Sequence, residues 1–409
     1  MNEPSVLSQK VIGIIGSGQL GKMTAIAAAK LGQKIHIFAN AKDDPACSLA
    51  DNVIVADFSD KKALESFAKN VDLVTIESEN IPCSVIDVIE QHKDFYPGKK
   101  ALYISQNRLR EKDFIRDVNI KTADYKSIQN YDELLKNCEF FGYSARLKTA
   151  EMGYDGKGQY VIKNRLPTEH SIITSSSSVI RVADTGIQKK EDEDIDSSVT
   201  HWNDKMGSWN DKMGKWNDTL PEVAFLDWSK QYILEKDVDL LKEISIVVAR
   251  DMRGKVAFFP IAENHHVDGI LDTSTVPAKI DNKLTQEVQQ IAEKVANALD
   301  LIGILAIEFF VTKDNELLIN ELAPRPHNSC HWSLDSCNIS QFEQLVRIIC
   351  GFPMQEVVLR FPCMTKNIIG DDIYDSHKYL SDKKASLTVY GKKEVRDKRK
   401  MGHVNIDLS

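Results

Sequence analysis

Two glutamates, Glu308 and Glu321, have the types and spacing to do chemistry together. Apolar, β-branched and aromatic runs at Leu305–Thr312 and Leu317–Leu322 flank Lys313-Asp314-Asn315-Glu316, a pattern that predicts a β-hairpin. A turn centred between Asp314 and Asn315 sets Glu308 opposite Glu321, with Cβ atoms about 5 Å apart. Facing carboxylates repel, and a bare pair weakens its sheet. A hard cation such as Mg2+ would relieve that repulsion, because it takes oxygen ligands and keeps water and substrate phosphate as the others. Solvated edge charges are the alternative; the apolar neighbours Ile307, Phe309, Ile319 and Leu322 argue for partial burial. Just downstream, two prolines flank Arg325 in Ala323-Pro324-Arg325-Pro326-His327-Asn328-Ser329, which stiffens and extends the backbone. A guanidinium held beside a cation site suits an anionic substrate. An ordinary proline-rich turn is the other reading.

Several further stretches could meet anions. Gly16-Ser17-Gly18-Gln19-Leu20-Gly21 joins the apolar run Val11–Ile15 to a helix over Lys22–Lys30, a layout that aims backbone N–H groups at an anion. A dinucleotide site also needs an acidic residue about 20 positions on, at the end of the next strand. That strand, Lys34–Phe38, runs into Ala39-Asn40, and Asp43 and Asp44 follow only in a loop. The turn is thus left for a phosphate of some other ligand. Glu77 and Glu79 follow the strand Leu73–Ile76, at the end where parallel sheets bind ligands. They could take ribose hydroxyls or an amine, or form a solvated loop.

Residues 104–117 predict a helix opened by Ser105, with Arg108 and Lys112 on one face; by residue type alone that face is a solvated basic stripe. Lys148 ends the strand that starts at Ser144, and the loop after it holds Gly153, Gly156 and Gly158. Its backbone can approach phosphates, though the Gly-Lys-Ser/Thr ending of a Walker loop is absent. Glu235, Lys236, Asp237 and Val238 separate the strands Gln231–Leu234 and Glu243–Ala249. Adjacent His265 and His266 on a strand point to opposite faces and cannot readily chelate one ion together.

The elements that must position these groups read as α/β, α+β overall. Strands and helices alternate through residues 11–91, which implies a parallel sheet with helices on both faces. A chain of 409 residues predicts two or three domains. Its net charge of −8 argues against nucleic-acid partners. No apolar run reaches the length of a bilayer span, and MNEPSVLSQK lacks a signal-peptide layout. Seven scattered cysteines without a Cys-x-x-Cys pair fit reduced thiols in a cytoplasm. From about 171 to 225 the composition changes. Trp202, Met206, Trp209, Met213 and Trp216 repeat with a heptad spacing, either as a duplicated surface insertion with no catalytic part or as a helix for a partner. Gly207 and Gly214 favour the insertion.

INELAPRPHNS at 319–329, together with residues 13–24 and 148–159, resembles the N5-carboxyaminoimidazole ribonucleotide synthetase family of the ATP-grasp superfamily. The resemblance spans nearly the whole chain outside about 171–225. It implies a Rossmann-like domain over 1–103, an ATP-grasp domain over 104–350 and a small β-rich domain over 351–409. It also implies ATP-dependent carboxylation of 5-aminoimidazole ribonucleotide by bicarbonate, through carboxyphosphate, in purine biosynthesis. ATP contacts would come from Arg108, with Lys112 assisting, from Lys148, and from a flap of Gly153, Tyr154, Asp155, Gly156, Lys157, Gly158 and Gln159. Glu235 and Val238 would meet the base, with Lys236 and Asp237 also in the ATP site, Glu243 the ribose, and His266 a phosphate, with Asn320 and Glu321 completing the nucleotide site. Mg2+ or Mn2+ would sit on Glu308 and Glu321.

The ribonucleotide would meet Gln19, Leu20, Glu77 and Glu79, then Arg325, His327, Asn328 and Ser329. Lys392, Arg399 and Lys400 in the basic tail, otherwise a solvated face, would clamp its phosphate or the bicarbonate-derived intermediate. Asp155, Arg325 and Lys392 would steer the chemistry. The family's enzymes imply a cytoplasmic homodimer. Met152 and Cys330 stand where the family usually has glycine. A formate-dependent glycinamide ribonucleotide transformylase, an NAD-dependent oxidoreductase and a catalytically impaired binding protein are the alternatives.

Overall fold

A computed structural model describes residues 8–151, 158–163, 223 and 226–409. The Trp repeat and flap residues Gly153, Tyr154, Asp155, Gly156 and Lys157 lie outside them. The chain divides into two compact units, Met1–Ala123 with Val238–Ser409, and Asp124–Asp237.

The larger unit begins with a parallel sheet in the order β3-β2-β1-β4, built from β1 Val11–Ile15, β2 Lys34–Ala39, β3 Asn52–Val55 and β4 Leu73–Ile76. α1 Gln19–Lys30, α2 Lys61–Lys69 and α3 Cys83–Ile89 connect and follow these strands. Ile12, Ile14, Ile37 and Val74 are fully buried, as expected of strands covered on both faces.

The expected single helix over 104–117 is two. α4 Lys99–Ser105 ends where it was to begin, and α5 Arg108–Asp117 starts afresh. The physical reason is Asn107, whose Oδ1 accepts from Leu109 N at 3.0 Å and Arg110 N at 3.1 Å, a side-chain N-cap.

The smaller unit carries β5 Tyr125–Ile128, β6 Ser144–Thr149, β7 Gln159–Lys163 and β8 Tyr232–Lys236 in the order β5-β8-β6-β7, with α6 Tyr131–Phe140.

In the larger unit, the described residues form a nine-stranded sheet whose main path is β14-β13-β9-β11-β12-β15-β17-β16. Its strands are β9 Leu240–Arg250, β10 Val256–Phe258, β11 Ala262–Val267, β12 Ile270–Val276, β13 Gly303–Thr312, β14 Leu317–Ala323, β15 Cys363–Ile369, β16 Ala385–Val389 and β17 Lys400–Asp407. β15 pairs with β12, so the C-terminal strands continue the sheet that holds the hairpin. α7 Asn282–Ala298 packs on that sheet through Val288, Ala292, Val295 and Ala296, the spacing of one helical face. α8 Gln341–Ile349 lies against α1 and β13.

Candidate active site

Glu308 on β13 and Glu321 on β14 are directly opposite, as the spacing requires, but by a different route. The turn is one residue longer than a symmetric two-residue Asp314-Asn315 hairpin and centres on Asp314. Thr312 O accepts from Asn315 N at 2.9 Å, Thr312 N donates to Glu316 O at 3.0 Å, and Asn315 takes φ 59°. From there Phe309 pairs with Ile319, one residue out of the expected register. A bulge restores it: Asn320 is an extra residue on β14, and Glu308 meets Glu321 beyond it. Bulges re-aim side chains and are frequent beside active sites.

Glu308 is buried and Glu321 half-buried. Burial, then the charge of Glu321, raise the Glu308 carboxyl from 4.5 to about 7. Positive groups converge on the pair. Arg108 Nη1 is 3.6 Å from Glu321 Oε2, and the charges of His266 and Lys400 act on Glu308. His266 Nδ1 lies 2.7 Å from Glu243 Oε2. Burial opposes the charge of His266, but the contact with Glu243 and the fields of Glu308 and Glu321 raise its pKa overall. Their pairing with β12 shifts register between His265 and His266.

Ligand atoms of Glu308, Glu321 and His327 lie within 4.8 Å of one another. His327 Nε2 is 3.7 Å from Glu308 Oε1, and its Nδ1 is 2.9 Å from Ser329 Oγ. Burial, then Arg325, push the His327 pKa well down, so the ring is neutral. Ser329 N lies 3.4 Å from Nδ1, and Nε2 faces Glu308. The two carboxylates are the oxygen ligands a hard cation prefers, with His327 beside them. The fit is supported by Asn320, whose buried Oδ1 has no hydrogen-bond partner among the described residues. Two facing carboxylates make a hard, oxygen-only donor pair.

Arg325 forks onto Glu79, its Nη2 donating to Oε1 at 2.8 Å and its Nε to Oε2. Burial opposes ionisation of Glu79, yet Arg325 and Arg108 lower its pKa overall. The sequence left out the residue that holds the next segment: Gln341 accepts from His327 N and donates to His327 O, both at 2.8 Å. Nothing in the residue types marks that long-range pair. Ser329 and Cys330 are buried, and Cys330 belongs to the hydrophobic core around Trp332. Asn328 opens the short 3-10 turn that carries them. In the tail, Lys392 Nζ donates to Lys400 O at 2.8 Å and sits 5.6 Å from the Tyr390 ring centre, while Arg399 Nη1 donates to Glu394 O at 3.0 Å. Lys400 is buried and its charge reaches Glu308 and His327.

Two expectations need correction. The glycine turn already holds an anion, and it is Glu77. Gly18 N and Gly21 N donate to its two carboxylate oxygens, the latter at 2.8 Å. A Cβ on Gly16, Gly18 or Gly21 would lie within 3.1 Å of Glu77 atoms, so these glycines make room for a side chain where a dinucleotide's pyrophosphate would lie. Leu20 is buried in the core, leaving Gln19 half-buried at the start of α1. Lys112 is 1% exposed, so it is no part of a solvated stripe. Its Nζ donates to Thr122 Oγ1 at 2.8 Å and Asn320 O at 3.0 Å. Glu111 beside it, also missed, accepts from Leu322 N at 2.6 Å.

In the smaller unit, Lys148 Nζ is 2.6 Å from Glu235 Oε2, both buried. Asp237 accepts from Arg146 Nε at 3.0 Å, and Lys236 is exposed. Gly158 (φ 69°) and Gln159 close the loop onto Thr149 and Lys148. Val238 begins the return of the chain to the larger unit.

Family models match in three places. Residues 113–182 and 215–342 match the ATP-grasp domain, 9–106 the ribonucleotide synthetase preATP-grasp domain, and 363–407 the phosphoribosylaminoimidazole carboxylase C-terminal domain. The chain is 38% identical to an N5-carboxyaminoimidazole ribonucleotide synthase of Brucella melitensis over 404 residues, covering 99% of this chain and 98% of that protein. It is 35% identical to the synthase of Bacillus subtilis over 409 residues, covering 99% and 93%. The crystal structure of the Staphylococcus aureus N5-carboxyaminoimidazole synthetase with ADP superposes with a TM-score of 0.82 at 29% identity, over 99% of this chain and 96% of that one.

Proposed function

This chain belongs to the N5-carboxyaminoimidazole ribonucleotide synthase family, and from that membership we propose that it uses ATP to carboxylate 5-aminoimidazole ribonucleotide with bicarbonate. It is an ATP-grasp ligase of purine biosynthesis. The observation that carries the chemistry is the opposed Glu308–Glu321 pair with Arg108, His266 and Lys400 directed at it. Mg2+ or Mn2+, held by Glu308, Glu321 and Asn320, would offset charge on the nucleotide's phosphates.

A bicarbonate oxygen attacks the γ-phosphorus of ATP, the bond to the β-phosphate oxygen breaks, and carboxyphosphate and ADP form. The exocyclic amine of the ribonucleotide then attacks the carboxyl carbon, phosphate leaves, and the amine gives up a proton. Phosphoryl transfer asks chiefly for positioning and charge neutralisation. Arg108 and His266 supply that at phosphate oxygens. Arg325, held by Glu79, and Lys392 orient the anionic intermediate. The loop around Asp155, outside the described residues, would keep water from carboxyphosphate. From the family resemblance we propose a cytoplasmic homodimer. Among the described residues no helix is long and apolar enough to cross a membrane.

The test is ADP release with and without the ribonucleotide and bicarbonate, on wild type and Glu321→Gln. Both substrates should be required, and the variant should lose on the order of 100-fold in turnover. Turnover that needs formate in place of bicarbonate, or that ignores the ribonucleotide, would sink the assignment.

A further inference from the structure

The Glu308–Glu321 register depends on one extra residue, Asn320, in an edge strand. An edge bulge leaves backbone groups without ladder partners and can slip, and a one-residue slip turns every later side chain to the other face. Below the bulge the edge is covered by the chain itself: Ile319 N donates to Lys121 O at 2.9 Å, and Thr122 Oγ1 donates to Ile319 O at 2.8 Å. At the bulge that pairing ends and α5 takes over. Lys112 Nζ donates to Asn320 O at 3.0 Å, with Ile319 O at 3.5 Å and Thr122 Oγ1 at 2.8 Å. One residue back on the same helix, Glu111 Oε1 accepts from Leu322 N at 2.6 Å. Two consecutive helix residues thus grip the carbonyl before Glu321 and the amide after it. Both are at most 3% exposed.

We propose that Lys112 and Glu111 are positioning residues that pin the Asn320 bulge, and so hold Glu321 and Asn320 in register for a divalent cation with Glu308. The inference rests on the ligase reading for the cation's task, but its readout needs no turnover. Residues that orient metal ligands typically cost 10–100-fold in metal affinity when lost.

The experiment is Mn2+ binding to the purified full chain, followed by electron paramagnetic resonance, with thermal unfolding of each variant alongside. Lys112→Met should weaken Mn2+ binding by about 10–100-fold. Glu111→Leu, which lacks an acceptor for Leu322 N, should weaken it more than Glu111→Gln, which keeps one. The sign is diagnostic. A purely electrostatic lysine near two carboxylates would, on removal, strengthen cation binding, and a purely structural one would lower the melting temperature without changing Mn2+ affinity. Either result overturns the proposal. Should Lys112→Met fail to fold, Thr122→Val removes the anchor of the same ammonium and must weaken Mn2+ binding too. Wild type that binds no Mn2+ overturns both the cation site and the clamp. Wild type that binds Mn2+, loses it in Lys112→Met and shows no ribonucleotide-dependent ADP release sinks the ligase reading and upholds the clamp.

Discussion

Glu308 sits in a buried place opposite a like charge, and its raised pKa is the cost of that placement. The sign of the pH effect follows. A carboxyl whose folded pKa is raised contributes stability below its unfolded value of 4.5 that is lost as pH rises toward about 7. Without a cation, the protein should therefore lose stability across that window, and saturating Mg2+ should restore it. A cation must also displace the Glu308 proton, so Mn2+ affinity should rise between pH 6 and 8, by at most about tenfold per unit. Binding isotherms at three pH values in that range decide it; affinity independent of pH would mean that Glu308 is already ionised. The same residue scale explains Arg325. A lone guanidinium between prolines is legible in the chain, whereas its fork onto Glu79 is not, because the two lie 246 positions apart.

At the scale of elements, the turn between β1 and α1 shows how one motif can serve two ends. Its glycine spacing is that of a phosphate cradle, and the cradle is filled by Glu77 from the end of β4. Gly16 has φ 104°, and a Cβ there would meet Glu77 Cγ at 2.4 Å. Gly16→Ala combines backbone strain with a clash and should destabilise by about 2–4 kcal/mol in chemical denaturation. Gly32 is the control: its φ is 70° with nothing within 4 Å of a Cβ, so alanine there should cost only about 1 kcal/mol. Equal effects at the two positions would show that Glu77 does not occupy the cradle in solution. α5 follows the same logic. Its pattern is charged and by residue type predicts a basic surface stripe; packing against the β14 edge makes Lys112 and Glu111 interior residues.

Over the whole molecule, the ATP-grasp family model passes over residues 183–214, the stretch that carries the first two Trp repeats. Lengthening or shortening a surface connection changes loop-closure entropy only slowly. Replacing 183–214 by a short Gly/Ser linker should leave ligase turnover within about twofold. A tenfold loss in a steady-state ADP assay would give the repeat a part in catalysis.

The amino-acid order alone determined the α/β class, the first strands and helices, and the facing of Glu308 and Glu321. Those features rest on periodicity and near neighbours, which the chain carries in its own order. The tertiary structure decided what fills the glycine turn, which lysine is buried, and what grips His327. Each of these depends on a partner 14 to 208 residues away, and the energy of a buried charge or backbone group is set by that partner rather than by its neighbours in the chain. Even the glutamate pair is a case of both: the pattern required it, while the three-residue turn and the Asn320 bulge, held from outside by α5, are how the fold satisfies it.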